Sequence, residues 1–282
     1  MAERTNVAGV VTQPDRPAGR GHKLTPTPVK TAALALGLSV YEPQKLRPFI
    51  EDICDERFDL FALASYGKIL PQTLLDLPRL GSLNVHPSLL PKYRGATPIQ
   101  TAIANGDTET GVSIMLMDAG MDTGDLVLQE SVEIAPSETY GELHDRLAMY
   151  GGELLGRAID LAKAGSLPRT PQHGEPSVTK PIRNPDFWID WSWPARRIVD
   201  HVRSLAPQPG ARASLLTFES LKLLKAHVYE SDVAGEIGSG TLIGKDFVVR
   251  VGDGAVVVDE VIAPNRGRET GVQLAVRAAV QR

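Results

Sequence analysis

Over residues 7–164 the chain alternates short apolar runs with helical stretches, and few folds accommodate that alternation. Residues 7–12 (VAGVVT), 60–64 (LFALA), Ser82–His86 (SLNVH), 112–118 (VSIMLMD) and 126–134 have the length and apolar content of strands. Residues 30–36, 49–56, 72–77, 96–105 and 140–164 read as helices. Gly37 closes the first, and Pro98 sits in the first turn of the fourth. Strands separated by helices predict a mostly parallel, doubly wound (Rossmann-like) α/β sheet. The stretch after residue 12 (QPDRPAGRGHKLTPTP) holds so many Gly and Pro that it predicts irregular loop.

The texture changes beyond residue 164. Residues 165–187 carry five prolines and read as a linker. A helix at 194–205 and short strands at 221–229, 240–243, 247–251 and 255–262 follow, the pattern of a small β-barrel, OB-like, or sandwich. A length of 282 residues favours two domains. The expected division is 1–167 for the α/β domain, 168–187 for the linker and 188–282 for the β-rich domain.

A single cysteine, Cys54, excludes an internal disulfide framework and fits a reducing, cytoplasmic setting. No run approaches the roughly 18 apolar residues of a membrane span. The formal net charge of −4 exerts no global pull on nucleic acid, but from Lys180 onward 14 basic side chains outnumber 12 acidic ones. Phosphate binding depends on local Lys/Arg clusters, so an RNA contact in the second half is permitted and not required.

Two clusters can carry chemistry. Asn84 and His86 are two apart on an expected strand that ends at Pro87, so both leave one face at the strand's carboxyl end, where parallel α/β sheets bind ligands. The histidine can serve as a base and the amide as a donor to an oxyanion. On these residues alone a histidine satisfied in a strand-to-loop turn stays open, and is the commoner outcome. The second cluster, Met117 to Asp125 (MDAGMDTGD), packs three carboxylates and two glycines behind an apolar strand. One carboxylate could orient the imidazole; an Asx-turn loop or a hard-cation site is the alternative, though the spacing is not that of an EF-hand. His22, His144, His173, His201 and His227 show no ligand spacing, so no metal is expected. Gly238, Gly240 and Gly244 read as hairpin glycines, and Trp188, Trp191 and Trp193 as packing.

The run NVHPSLLPKYRGATPIQTAIANGDTETGVSIMLMDAGMDTGD (84–125) resembles the core of the folate-dependent formyltransferases. The resemblance implies an enzyme with Asn84, His86 and Asp122 as catalytic residues. It also implies 10-formyltetrahydrofolate as the formyl-donor cosubstrate, without a metal. By the same resemblance Tyr66, Gly67, Ile69, Leu70 and Pro71 line the folate pocket, largely through backbone groups, with Ser88, Leu89, Leu90 and Pro91 the matching SLLP segment. The segment TQPDRPAGRGHKLTPTPVK is similar to a basic loop in members that formylate methionyl initiator tRNA, which implies tRNA contacts at Arg16, Arg20 and Lys23. Residues 189–211 resemble the start of the C-terminal domain in those members. The implied protein is a cytoplasmic monomer supporting translation initiation.

Family members begin with a further strand, loop and helix, roughly 30 residues, before the strand matching 7–12. The expectation is that 7–12 and the active-site strand lack a shared neighbour here, with a misplaced start codon or a truncated gene as the reason. Two alternatives follow: a formyltransferase for another amine, such as an amino-sugar nucleotide or glycinamide ribonucleotide, and a non-catalytic tRNA- or folate-binding remnant.

Overall fold

The computed structural model of the protein describes residues 2, 4–18 and 23–280. The chain opens with β1 (Val10–Val11), β2 (Arg16–Ala18), β3 (Lys23–Thr25), α1 (Pro28–Ala35), β4 (Val40–Tyr41) and α2 (Leu46–Ile53). It continues with β5 (Phe61–Ala64), α3 (Gln72–Leu75), β6 (Ser82–His86), β7 (Arg94–Gly95), α4 (Pro98–Ala104) and β8 (Glu109–Leu116). Next come β9 (Leu126–Glu133), α5 (Tyr140–Lys163), β10 (Val178–Thr179), a 3-10 turn (Asn184–Phe187) and α6 (Ala195–Leu205). The chain ends in β11 (Ala211–Leu215), β12 (Phe218–Tyr229), β13 (Gly240–Ile243), β14 (Asp246–Arg250), β15 (Ala255–Ile262), β16 (Arg268–Thr270) and α7 (Gly271–Val280). Two compact units interleave along it: the first takes Met1–His86, Ser113–Gln129 and Gly151–His173, the second takes the remainder.

β5, β6, β8 and β9 form one sheet in that order. β6 runs parallel to β5, with Ala64 beside Val85, and antiparallel to β8, from Leu83 against Leu116 to His86 against Ser113. The sheet is therefore mixed where the alternation predicts mostly parallel, because strand direction leaves no mark on an apolar pattern. β1 pairs in parallel with β4 alone, and among the described residues no strand joins that pair to β5. Among the described residues β1 and the active-site strand β6 thus share no neighbour, as expected; β6 itself is flanked by β5 and β8, and the edge left open is that of β5. The Gly- and Pro-rich loop is also more regular than predicted: β2 and β3 make an antiparallel ribbon with Arg16 opposite Thr25 and Ala18 opposite Lys23. Pro17 is tolerated there because a two-stranded ribbon is all edge. α1 starts where Thr27 Oγ1 accepts the Lys30 amide at 3.1 Å. α5 buries Leu154, Leu155, Ala158, Ile159 and Ala162 in the first unit, an apolar stripe at helical spacing.

The second unit holds a coiled antiparallel sheet in the order β11–β12–β15–β14–β13, with β16 on β15. α6 contributes Ile198, Val202 and Leu205 to a core shared with Leu221, Leu223, Phe247, Val249, Val256, Val258 and Leu274. Val248, Ala255 and Val257 form a separate buried cluster, so β14 and β15 are covered on both faces. Each such buried aliphatic or Phe side chain contributes about 1.5–3 kcal/mol. Trp191 and Trp193 pack against the main core, and Gly244, at φ 59°, turns the β13–β14 hairpin. α7 lies outside the expected elements. Its start is a reciprocal cap, Gln273 Oε1 accepting the Thr270 amide at 2.9 Å and Thr270 Oγ1 accepting the Gln273 amide at 3.2 Å. No described helix is long and apolar enough to cross a membrane.

Candidate active site

The site is built on β6. Asn84 and His86 leave one face of the strand, opposite Met115 and Ser113 of β8, and His86 is its last residue, only 4% exposed. Its Nδ1 lies 3.6 Å from Asp122 Oδ2, an ion-pair separation rather than a close hydrogen bond. The carboxylate, 36 residues downstream, can hold the ring's orientation and favour an imidazolium when one forms.

The loop between β8 and β9 is shaped to present that carboxylate. Asp118 Oδ1 accepts the Gly120 amide at 3.0 Å and the Thr123 hydroxyl at 2.7 Å, so this acid folds the loop on itself as an Asx-turn. Asp122 takes the left-handed region, φ 55°, which Asp tolerates better than most residues. Gly124 is required by space: a Cβ there would stand 1.7 Å from the Leu116 carbonyl oxygen. Leu116 N donates to Asp125 O at 2.9 Å and closes the loop. Gln172, beyond α5, donates through Nε2 to Asp122 O at 2.9 Å and to Gly124 O at 2.8 Å. Asp118 and Asp122 thus have different duties: one folds the loop and the other faces the histidine.

Tyr66, Gly67, Ile69, Leu70 and Pro71 follow β5, whose register carries them past the strand end beside His86. Burial raises the Tyr66 phenol pKa, and its hydroxyl is sealed from solvent without a hydrogen-bond partner among the described residues. The Tyr66 carbonyl accepts Gln13 Nε2 at 3.0 Å, and Lys68 Nζ reaches the Pro43 carbonyl at 3.2 Å. Ile69 is 96% exposed, an apolar side chain at a rim. Lys30 Nζ meets Asp15 Oδ1 and Glu42 Oε2, each at 2.8 Å, and both carboxylates raise its pKa.

Ser88, Leu89, Leu90 and Pro91 belong to the second unit and form a tight turn of their own. Ser88 Oγ donates to the Lys92 carbonyl at 2.5 Å, Leu90 is buried, and the Leu90–Pro91 peptide is cis. Arg16 and Lys23 are exposed on the β2–β3 ribbon, while Arg20 lies outside the described residues. Among the described residues no group of three or more His, Cys, Asp or Glu could hold a metal ion. Gln13 and Gln172 escaped the sequence reading: each acts on a carbonyl more than 45 residues away, and no local pattern marks that.

Residues 2–159 match the family model described as formyl transferase, and residues 181–277 match the formyl transferase C-terminal domain. The chain belongs to the formyl transferase family. It is 44% identical to the methionyl-tRNA formyltransferase of Syntrophus aciditrophicus (strain SB) over 266 residues, 93% of this chain and 85% of that one. With the methionyl-tRNA formyltransferase of Symbiobacterium thermophilum it shares 45% over 269 residues, 93% of this chain and 82% of the relative. Among solved structures, its fold matches an N-formyltransferase from Helicobacter canadensis in complex with folinic acid and dTDP-3-aminofucose. That match has a TM-score of 0.65 at 19% identity, covering 88% of this chain and 86% of that one. HypX from Aquifex aeolicus with tetrahydrofolic acid aligns at a TM-score of 0.61 and 18% identity, over 78% of this chain and 39% of that one. The protein is a formyltransferase enzyme, and its family uses a folate-derived formyl donor.

Proposed function

We propose that this formyltransferase moves the formyl group of 10-formyltetrahydrofolate to the α-amino group of methionine carried by initiator tRNA. The observation that carries the chemistry is the meeting of His86 and Asp122, drawn from separate elements, at a buried strand end that also presents Asn84. Identity above 40% with methionyl-tRNA formyltransferases over more than nine-tenths of the chain supports the acceptor.

The uncharged α-amine attacks the formyl carbon and its proton passes to His86, worth about 10²–10⁴ in rate for a placed base. The carbonyl oxygen becomes an oxyanion, stabilised by the Asn84 amide and the imidazolium; losing one such donor typically costs about 10²–10³. Asp122 orients the ring and balances its charge. The C–N10 bond then breaks, the proton goes to N10, and tetrahydrofolate and formylmethionyl-tRNA leave.

Tyr66, Gly67, Ile69, Leu70, Pro71, Ser88, Leu89, Leu90 and Pro91 are the folate-binding residues that the family resemblance implies. Arg16 and Lys23, exposed on their ribbon, together with Arg20 meet tRNA phosphates. Residues 1–167 act as the catalytic domain, 168–187 as linker and 188–282 as the tRNA-binding domain, in the cytoplasm where translation begins.

Transfer of labelled formyl to initiator Met-tRNA, beside an amino-sugar nucleotide as rival acceptor, tests the reading. It predicts transfer to the tRNA alone, a steep loss of tRNA affinity with salt, and a smaller slope in Arg16→Ala and Lys23→Ala variants. Transfer to the nucleotide sugar with no salt slope would assign the other acceptor. Full turnover by His86→Ala would remove the base.

A further inference from the structure

We propose that Gln172 is the positioning residue that holds Asp122 against His86. Residues 160–180 lie outside both matched family models, so nothing in the family match assigns this stretch a part in the reaction. The structure brings it to the catalytic loop. Thr170 and Leu126 exchange backbone hydrogen bonds, Leu126 N to Thr170 O at 2.8 Å and Thr170 N to Leu126 O at 3.0 Å, which sets the segment alongside the end of the loop. Two residues on, the Gln172 amide nitrogen spans the carbonyls of Asp122 and Gly124, at 2.9 and 2.8 Å. A carboxamide NH2 carries two N–H donors, and here they meet two acceptors two residues apart.

Those two carbonyls flank the part of the loop that holds its shape least easily. Asp122 sits at φ 55°, a region costing a non-glycine residue on the order of 1–3 kcal/mol, which persists only where surroundings impose it. Gly124 is pressed against β8. Fixing both carbonyls fixes the Asp122–Thr123 and Gly124–Asp125 peptide planes, and with them the backbone that aims the Asp122 side chain. The demand these two contacts make at position 172 is for donors, since both acceptors are carbonyl oxygens. A lysine ammonium meets it; the isosteric but donor-free methionine does not.

The proposal rests on the His86–Asp122 reading of the proposed function, and the experiment separates the two. In the full chain, Gln172→Met should lower kcat about 10- to 100-fold, the loss expected of a carboxylate displaced by about 1 Å. KM for either substrate should stay within about twofold, and the acidic limb of the pH–rate profile should move. Gln172→Lys should recover the rate to within about threefold. Independently of activity, amide exchange in loop 117–125 should quicken at least about tenfold in the methionine variant and not in the lysine variant. Parent-like kcat and pH profile in Gln172→Met overturn the positioning role. So does a lysine variant no better than the methionine one, even if the latter folds poorly. His86→Ala costly with Gln172→Met silent refutes this proposal alone; His86→Ala silent refutes the site beneath it.

Discussion

Replacing Gly124 by alanine tests whether the Asp122 loop is held as tightly as its contacts indicate. The added methyl would stand 1.7 Å from the Leu116 carbonyl oxygen and 2.9 Å from its carbon, both backbone atoms of β8. Because β8 is paired with β6, the loop rather than the strand must yield, by at least about 1.3 Å to reach a 3.0 Å contact. The His86–Asp122 separation of 3.6 Å then opens to about 5 Å. At an effective dielectric near 20 that weakens the attraction between imidazolium and carboxylate by about 1.2 kcal/mol, close to tenfold in rate. Misalignment can add up to about another factor of ten. The expected result is a kcat for formyl transfer about 10- to 100-fold below the parent. Overpacking should also cost about 1–3 kcal/mol of stability, a fall of several degrees in a melt. Gly120→Ala is the control. Its methyl's nearest neighbours are all in the Thr123 side chain, at 1.9 Å from Oγ1; turning that hydroxyl aside gives up its bond to Asp118 but leaves the Gly124–Leu116 contact in place, so a smaller loss, under about fivefold, is expected. A Gly124→Ala enzyme within twofold of parent kcat and with an unchanged melting midpoint would refute the reasoning.

Other positions give sharper stability readouts. Tyr66→Phe removes a buried hydroxyl without a hydrogen-bond partner among the described residues, so the melting temperature should hold or rise, by up to about 1 kcal/mol in stability; a clear fall would show that the hydroxyl is bonded. In the second unit Asp200 and Arg203 form a buried pair at 2.8 Å, and Arg203 also reaches the Glu138 carbonyl at 3.3 Å. Asp200→Ala strands the guanidinium and should cost about 3–5 kcal/mol by denaturant unfolding, whereas a cost below 1 kcal/mol would mean that water reaches it. Burial lowers the pKa of His201, while its bond to the Phe187 carbonyl opposes the shift. The unfolded chain, titrating near 6.5, therefore binds the proton first, so stability is fully present above about pH 6.5 and declines as pH falls toward the folded pKa. His201→Phe should flatten that decline in unfolding measured from pH 7.5 to 5; an unaltered slope would place its origin elsewhere.

The sequence exposed most of the fold where one strand or helix face is buried. Ser82–His86, the 24-residue α5 and the second unit's β12 to β15 follow from period-two and helical patterning, with ends displaced by up to three residues, whereas β11 and β16 were not marked. Strand direction did not follow, because β8 looks the same whether it runs with β6 or against it. α7 had a readable signal, Thr270 three residues before Gln273, but no apolar stripe wide enough to stand out beside the strands. The β2–β3 ribbon was hidden by its own composition. Gly and Pro exclude a helix or a central strand, and a narrow ribbon tolerates both.

The site divides along the same line, between what is local and what is not. The two-residue spacing at a strand end marks Asn84 and His86 as candidates, though it took the family resemblance to favour them, and the loop role of Asp118 rests on its carboxylate accepting the Gly120 amide. Asp122 has the same side chain and nearly the same flanks, yet it is the acid turned toward the histidine, and composition alone cannot choose between them. What chooses is the backbone: a left-handed residue followed by a glycine pressed to within 1.7 Å of β8 leaves one direction for the Asp122 carboxylate and another for Asp118. That conformation depends in turn on a glutamine 50 residues further along, in a proline-rich stretch with no patterning of its own. The family resemblance could single out Asp122, because it compares positions. It could not single out Gln172, whose part consists entirely of where the folded chain places one amide group.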